Sequence, residues 1–452
     1  MRSSTRDTLV ILTRGALGLL TGCGSILGIE RFTPVDDAGH SQEPAQVRDA
    51  SAESGMAPDD GPAPDAGPAA DLDAGSEGDS APPAQLEAGT DAVVRACMPA
   101  ATRCVGNAVS TCSAVSQWSE VVACKDSQRC LEGACKDFPS CATTGPGLSD
   151  CGPNKESCCQ SLGLPAGTYS RVYTTNASGV ASNLSAPASV SAFRLDTYLV
   201  TVGRFRQFLA ALKAGYAPVV GAGKHTHLNA GMGVTAMGGG GYESGWTAAD
   251  GKPLAPADEQ WRSCDPHTWT TTAGANEALP MSCVGWAEAY AFCIWDGGFL
   301  PDEAEWEYAA AGGAEQRRFP WGATPAGTAN QYAIYGCLYP AGPVGLLDVG
   351  LCNARNVAPV GTPALGVGRW GQRDLAGQLY EWNLDFHPGM DTVPTGYAAL
   401  CTDCAYLTQH EDRLVRGGQY GNPESSLLAT HRYAAPRAVR ASGIGIRCAR
   451  AP

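Results

Sequence analysis

The sequence predicts an α+β domain with much irregular backbone, preceded by a small disulfide-rich module and, before that, a disordered tether. Three observations carry this reading. Three stretches show helical periodicity with recognisable end signals, whereas the chain between and after them is Gly-rich with short apolar runs. Six cysteines cluster between Cys97 and Cys135, and nine of the ten tryptophans lie beyond Ser140. Fourteen Asp and Glu against one Arg fall between Asp36 and Asp91, which accounts for −13 of the −14 net charge. A chain of 452 residues has room for two or three domains.

The first element, residues 1–23, reads as a signal segment. MRSSTRDTLVILTRGALGLLTGC carries Arg2, Arg6 and Arg14, an apolar run, and then Leu20-Thr21-Gly22-Cys23. That tetrapeptide resembles a bacterial lipobox, in which the cysteine is lipidated and becomes the mature N-terminus. Cys23 is therefore expected to hold the protein outside the cytoplasm by a lipid anchor in a membrane. Arg14 shortens the apolar run, so a plain secretory signal or a misassigned start codon are the alternatives. No other segment approaches the ~20 apolar residues of a membrane helix.

Residues 24–95 are mostly Ala, Pro, Gly, Asp, Ser and Glu. They have little to bury against the entropy of ordering, so they read as a disordered acidic tether. The remainder is nearly neutral, with no basic patch for phosphate backbones, and nucleic acid is excluded as a partner.

Residues 96–136 form a cysteine-rich module. A segment this small cannot hold itself together by apolar burial, and disulfides supply the missing stability. Zinc is the alternative, but no CxxC pair and no His lies among Cys97, Cys104, Cys112, Cys124, Cys130 and Cys135. Three bridges are expected, in one of fifteen pairings. With Cys23 set aside, the eighteen remaining cysteines are an even number, which fits an oxidising compartment.

Residues 137–188 read as a connecting segment, and 189–452 as the main folded domain. In TVGRFRQFLAAL, Thr201 is an N-cap and Phe205, Phe208, Leu209 and Leu212 share a helical face. WAEAYAFCIWDGG repeats the pattern with Trp286, Ala289, Tyr290 and Cys293 and stops at Gly297-Gly298. PDEAEWEYAAAGG places Asp302 as N-cap with Glu305 three residues on, a capping box, and ends at Gly312-Gly313.

FRLDTYLVTVGRF, GFLPDEAEWEYAAAGG, FPWG, RWGQRDLAGQLYEW, LVRGGQY and GIGIRCAR follow one another in this order. The ordered set, over about Ser189 to Arg450, resembles the formylglycine-generating enzyme family, also called sulfatase-modifying factors. The resemblance implies a variant C-type-lectin-like fold stabilised by calcium and disulfides. It also implies an activity, oxidation of a sulfatase cysteine to formylglycine by copper held on two cysteine thiolates. The matching positions fall near Leu427 or Leu428 and at Tyr433, and no cysteine occurs from Ala405 to Arg447. Thiolates suit Cu(I) because both are soft. Copper is accordingly not expected here, and no catalytic residue is assigned.

Other expectations also rest on the resemblance. The family's structural calcium site maps onto Asp374 and Glu381 as carboxylate ligands, with Gly377 and Leu379 giving backbone carbonyls. The alternative is that Asp374 caps a turn and Glu381 pairs with an arginine. A second site has Asn330 but no clear aspartate partner. Cys293 and Cys448 match a bridge from an early helix to the last strand, with Cys264–Cys283 and Cys337–Cys352 as further pairings. Related sulfoxide synthases hold iron on three histidines of an additional domain. Here the nearest pair is His225 and His227, read as an exposed loop pair although residues two apart share a face of an extended strand. Pyoverdine-maturation proteins are the better precedent, being periplasmic members that lack the copper cysteines.

His431, Arg432, Tyr433 and Arg437 are the candidate cleft residues, with arginines to hold carboxylates or carbonyls; the alternative is that Arg432 and Arg437 are structural. Two function classes follow. One is a non-oxidase binding module recognising a peptide, glycan or envelope partner. The other is a formylglycine-generating or other oxidoreductase maturation enzyme of the same family.

Overall fold

The computed structural model describes residues 97–252, 254, 258–340, 352–387 and 400–452. The expected signal segment, Cys23 and the tether lie outside them. The described chain is a mixed α+β structure with four α-helices and many short strands joined by irregular backbone.

Helix α1, Val202–Lys213, starts where Thr201 accepts a hydrogen bond from the Arg204 backbone N–H, and it buries Phe205, Phe208 and Leu209. Helix α2 is the short Asp258–Cys264 turn, anchored by buried Trp261. Helix α3, Trp286–Trp295, is buried over most of its length, as a helix apolar on all sides must be. It ends at Gly297, whose φ of 80° favours glycine and where a Cβ would stand 1.9 Å from the Arg129 guanidinium. Helix α4, Glu303–Ala311, is closed at its start by the Asp302–Glu305 capping box and at its end by Gly312 at φ 67°. Every residue of α4 is buried, including Glu303, Glu305 and Glu307.

The aromatic residues of α1 and α3 pack with Trp246, Trp261, Trp269 and Trp382 in one core cluster. A second cluster lies between α4 and the strands Gly167–Thr175, Ala181–Val190 and Phe193–Asp196. These strands change the expected domain boundary. Residues 137–188 do not merely connect: Ser161–Leu164 pairs with Phe193–Asp196, and Gly167–Thr175 pairs with Ala181–Val190, all against the core. A four-stranded sheet completes the site region, in the order Arg432–Pro436, Asp412–Arg416, Tyr380–His387, Ile444–Gly445.

The N-terminal module is a three-stranded sheet and a hairpin held by Cys97–Cys112, Cys104–Cys130 and Cys124–Cys135. It docks on the main domain through Arg194, which donates to the backbone carbonyls of Asp126 and Gln128. Further bridges join Cys141–Cys159, Cys151–Cys158, Cys264–Cys283, Cys293–Cys448, Cys337–Cys352 and Cys401–Cys404. Every cysteine among the described residues is thus in a disulfide. Among those residues no helix is long and apolar enough to cross a membrane.

Candidate functional site

Of the candidate cleft residues, Arg432 and Tyr433 sit on the strand Arg432–Pro436, paired antiparallel with Asp412–Arg416, and His431 and Arg437 flank it on either side. Successive side chains of a strand point to opposite faces, and this separates Arg432 from Tyr433. Arg432 lies directly opposite Arg416, and both face α4. There Glu303 and Glu307, one helical turn apart, receive them. Arg432 Nη2 is 2.7 Å from Glu303 and also bonds Glu307, and Arg416 Nη2 is 3.2 Å from Glu307. Burial works against ionisation, yet Arg432 and Arg416 hold the Glu303 carboxyl down at about 2. Burial pushes Glu307 up despite the same arginines, with Glu303 adding to the rise.

The expectation for Arg432 as a cleft donor is therefore corrected. Its guanidinium also donates to the Arg171 and Thr430 carbonyls, and it belongs to a buried ion cluster that joins the sheet to α4.

Tyr433 takes the other face. It is 38% exposed and stacks on Tyr380 with ring centres 5.3 Å apart. The Tyr380 hydroxyl lies 3.2 Å from His431 Nε2. Burial raises the Tyr380 phenol, so it stays neutral and can both donate and accept. Arg437 is exposed, its guanidinium 3.8 Å from Asp250. Three of the four residues thus lie at or near the surface, with Tyr433 and His431 gathered around Tyr380. At the positions that the resemblance matches to the copper thiolates, Leu427 is a buried core residue, Leu428 packs against the same cluster and Tyr433 is this exposed ring.

The expected calcium segment is built tightly. Asp374 adopts φ 58°, and Gly377 adopts φ 82° where a Cβ would be 2.5 Å from the Ile334 carbonyl oxygen. Asp374 Oδ2 accepts the Gly361 N–H at 2.6 Å, while Oδ1 is buried without a hydrogen-bond partner. Burial pushes this carboxyl up to about 6. Asp374 thus has one unpaired oxygen to offer a calcium ion, and Glu381 has none. Both Glu381 oxygens accept from Arg447, at 2.8 and 2.9 Å, and one also accepts from Trp306 Nε1 at 2.6 Å. Glu381 is the partner of an arginine. Asn330 Oδ1 is likewise buried without a hydrogen-bond partner.

His225 and His227 are not an exposed loop pair. His225 is fully buried between Glu243 and Glu305, and His227 is partly buried beside it. Sequence reasoning saw Asp302 and Glu305 only as helix caps. The signal available was a histidine in a Gly-rich run, which says nothing of its distant carboxylate partners.

The family model described as "Sulfatase-modifying factor enzyme 1-like domain" matches residues 149–452. Formylglycine-generating enzyme of Bos taurus is 27% identical over 305 residues, covering 63% of this chain and 73% of the bovine protein. "Inactive C-alpha-formylglycine-generating enzyme 2" of Mus musculus is 31% identical over 136 residues, covering 28% of this chain and 41% of that protein. Among solved structures, PvdO from Pseudomonas aeruginosa aligns with a TM-score of 0.41 and 19% identity, over 70% of this chain and 100% of PvdO.

Proposed function

The chain belongs to the sulfatase-modifying factor enzyme 1-like family, with its lectin-like α+β fold, and from that premise we propose that it is a non-oxidase binding module. The observation that supports this most is the state of its cysteines. Each of the eighteen in the described residues is bridged, and the resemblance matches Leu427 or Leu428, and Tyr433, to the positions of the thiolate pair that would hold Cu(I). An oxidase that activates oxygen on a Cu(I)–thiolate centre has no ligands here. That one relative carries the word "inactive" in its name is compatible with the same reading.

The binding surface is the face of Tyr433, with His431 and Tyr380 behind it and Arg437 at its edge. An exposed ring on a rigid strand gives contact area at little cost in side-chain entropy, and the imidazole, phenol and guanidinium supply polar contacts. This chemistry suits a peptide, glycan or envelope component with a flat apolar face and oxygen acceptors. Nine disulfides suit an extracytoplasmic site, and a lipid on Cys23 would hold the domain at a membrane by its tether. A calcium ion bound by Asp374 would occupy its unpaired oxygen and add stability by mass action.

The function is tested by incubating the purified chain with copper, oxygen and a Cys-x-Pro-x-Arg peptide, and by screening it against glycan and peptide arrays. No aldehyde should form, and a retained ligand should bind Tyr433→Ala at least about tenfold more weakly, as expected for an aromatic anchor. Catalytic conversion to formylglycine would overturn the reading in favour of a maturation enzyme. For calcium, chelation should lower the melting temperature of the wild type and leave Asp374→Ala unchanged; an unchanged wild type would show that Asp374 only shapes a turn.

A further inference from the structure

The start of α4 faces a second buried polar cluster that the binding surface does not use. A ring nitrogen of His225 and carboxylate oxygens of Asp302 and Glu305 lie within 4.8 Å of one another, and all three residues are buried. The capping box brings the two carboxylates together, because Asp302 Oδ1 accepts the Glu305 N–H at 2.7 Å and Glu305 Oε2 accepts the Asp302 N–H at 3.2 Å.

His225 is fixed from the other side. Glu243 Oε1 accepts from the backbone N–H groups of His225 and Val234, at 2.7 and 3.1 Å, and meets His225 Nδ1 at 2.9 Å. In a neutral ring this places the proton on Nδ1 and turns the Nε2 lone pair toward Glu305 Oε2, 3.2 Å away. Two acceptors at that separation need a proton or a metal cation between them. Two ligands of a tetrahedral divalent ion, each ~2.0–2.1 Å from it, stand about 3.3 Å apart.

Charge points the same way. Glu243, Asp302 and Glu305 surround a single imidazole. The other buried carboxylate pairs, Asp196 with Asp296 and Glu303 with Glu307, each hold two arginines. Among the described residues the only ion partner of Glu243 and Glu305 is His225. Buried carboxylates without compensation are costly. Glu243 Oε2 is buried without a hydrogen-bond partner. An independent observation is His227. Both its ring nitrogens are buried without a hydrogen-bond partner, and its ring lies 6.3 Å from that of His225, with both rings against Phe299.

We propose that His225, Asp302 and Glu305 bind one first-row divalent cation of the zinc class, with Glu243 orienting His225 through its Nδ1–H and His227 lying beside the cluster. Nitrogen with carboxylate oxygen is the ligand set of such borderline ions, whereas calcium wants oxygen alone. The carboxylate–histidine–metal arrangement is the usual way a protein sets the ligating tautomer. The ion would tie the segment around His225 to the start of α4.

The test uses the full chain, stripped with chelator and then dialysed against Zn²⁺ or Co²⁺. About one metal per chain should be retained, with a higher melting temperature and a cobalt spectrum lacking thiolate charge transfer. Asp302→Asn keeps a good N-cap and so keeps the helix start; it should lower affinity at least tenfold. His225→Gln should lose the bound metal. A wild-type chain that retains no metal would overturn the proposal, as would retention unchanged in Asp302→Asn, which would place the ion on surface histidines.

Discussion

The two faces of α4 bury charge in different ways. Glu303 and Glu307 point at Arg416 and Arg432 across the sheet, whereas Asp302 and Glu305 point at His225. On the first face permanently charged guanidinium groups answer the carboxylates and add bonds to backbone carbonyls. The second is answered by the single imidazole of His225, where the proposed metal ion would sit. Arginine on a buried carboxylate marks scaffold, and histidine there marks a site. The same contrast separates Arg432 from its neighbour Tyr433, which faces outward from the same strand.

The largest effect expected from breaking the comparison is on the arginine face. Arg416→Met leaves Glu303 and Glu307 with one guanidinium between them and should cost about 3–5 kcal/mol, the range for removing one partner of a buried ion cluster. Urea unfolding measures it, and metal retention at His225 should be unchanged in whatever fraction stays folded. A loss below about 1 kcal/mol would show that the cluster is not structural.

Next comes acid. Asp296 is buried between Arg204 and Arg450, and although burial opposes it, these arginines hold its carboxyl below the usual range. A depressed folded value adds stability that is fully present above the unfolded pKa of about 4 and is lost as pH falls through the folded value. The stability gap between wild type and Asp296→Asn should therefore be constant above about pH 5 and narrow as pH falls from 4 toward 2. A gap that widens on acidification would contradict the assignment.

The smallest effect is on the exposed ring. Tyr433→Ala should change stability by no more than about 0.5 kcal/mol, as for a surface substitution outside the core, while weakening any ligand of that face. A melting temperature lowered by many degrees would move Tyr433 into the scaffold with Arg432.

Local features were the most legible in the sequence. Thr201, the Asp302–Glu305 capping box and the glycine stops announce α1, α3 and α4 because caps and periodicity are encoded within a few residues. The burial of α4 is not encoded that way, since Glu-Ala-Glu-Trp-Glu looks solvent-facing until two arginines more than 100 residues on are placed over it. The strand Gly167–Thr175 escaped notice for a related reason. Arg171 is buried between Tyr169 and Tyr173 and breaks the apolar alternation, and its partner strand is mostly Ser, Ala and Asn. Cys293 and Cys448 are 155 residues apart, and only the family resemblance suggested their pairing. The site was partly legible. Tyr433 and Arg437 lie at the surface, Arg432 does not, and the partners of His225 are set by tertiary structure alone.

The central claim is that the chain has no thiolate pair to hold Cu(I), because each cysteine from Cys97 to Cys448 is bridged. Alkylation of the unreduced, denatured protein followed by mass spectrometry tests it directly. The account predicts no modified cysteine between residues 97 and 448, and nine alkylated pairs only after reduction. Two cysteines alkylated without reduction and protected by stoichiometric Cu(I) would contradict it, and would restore an oxidase centre to this domain.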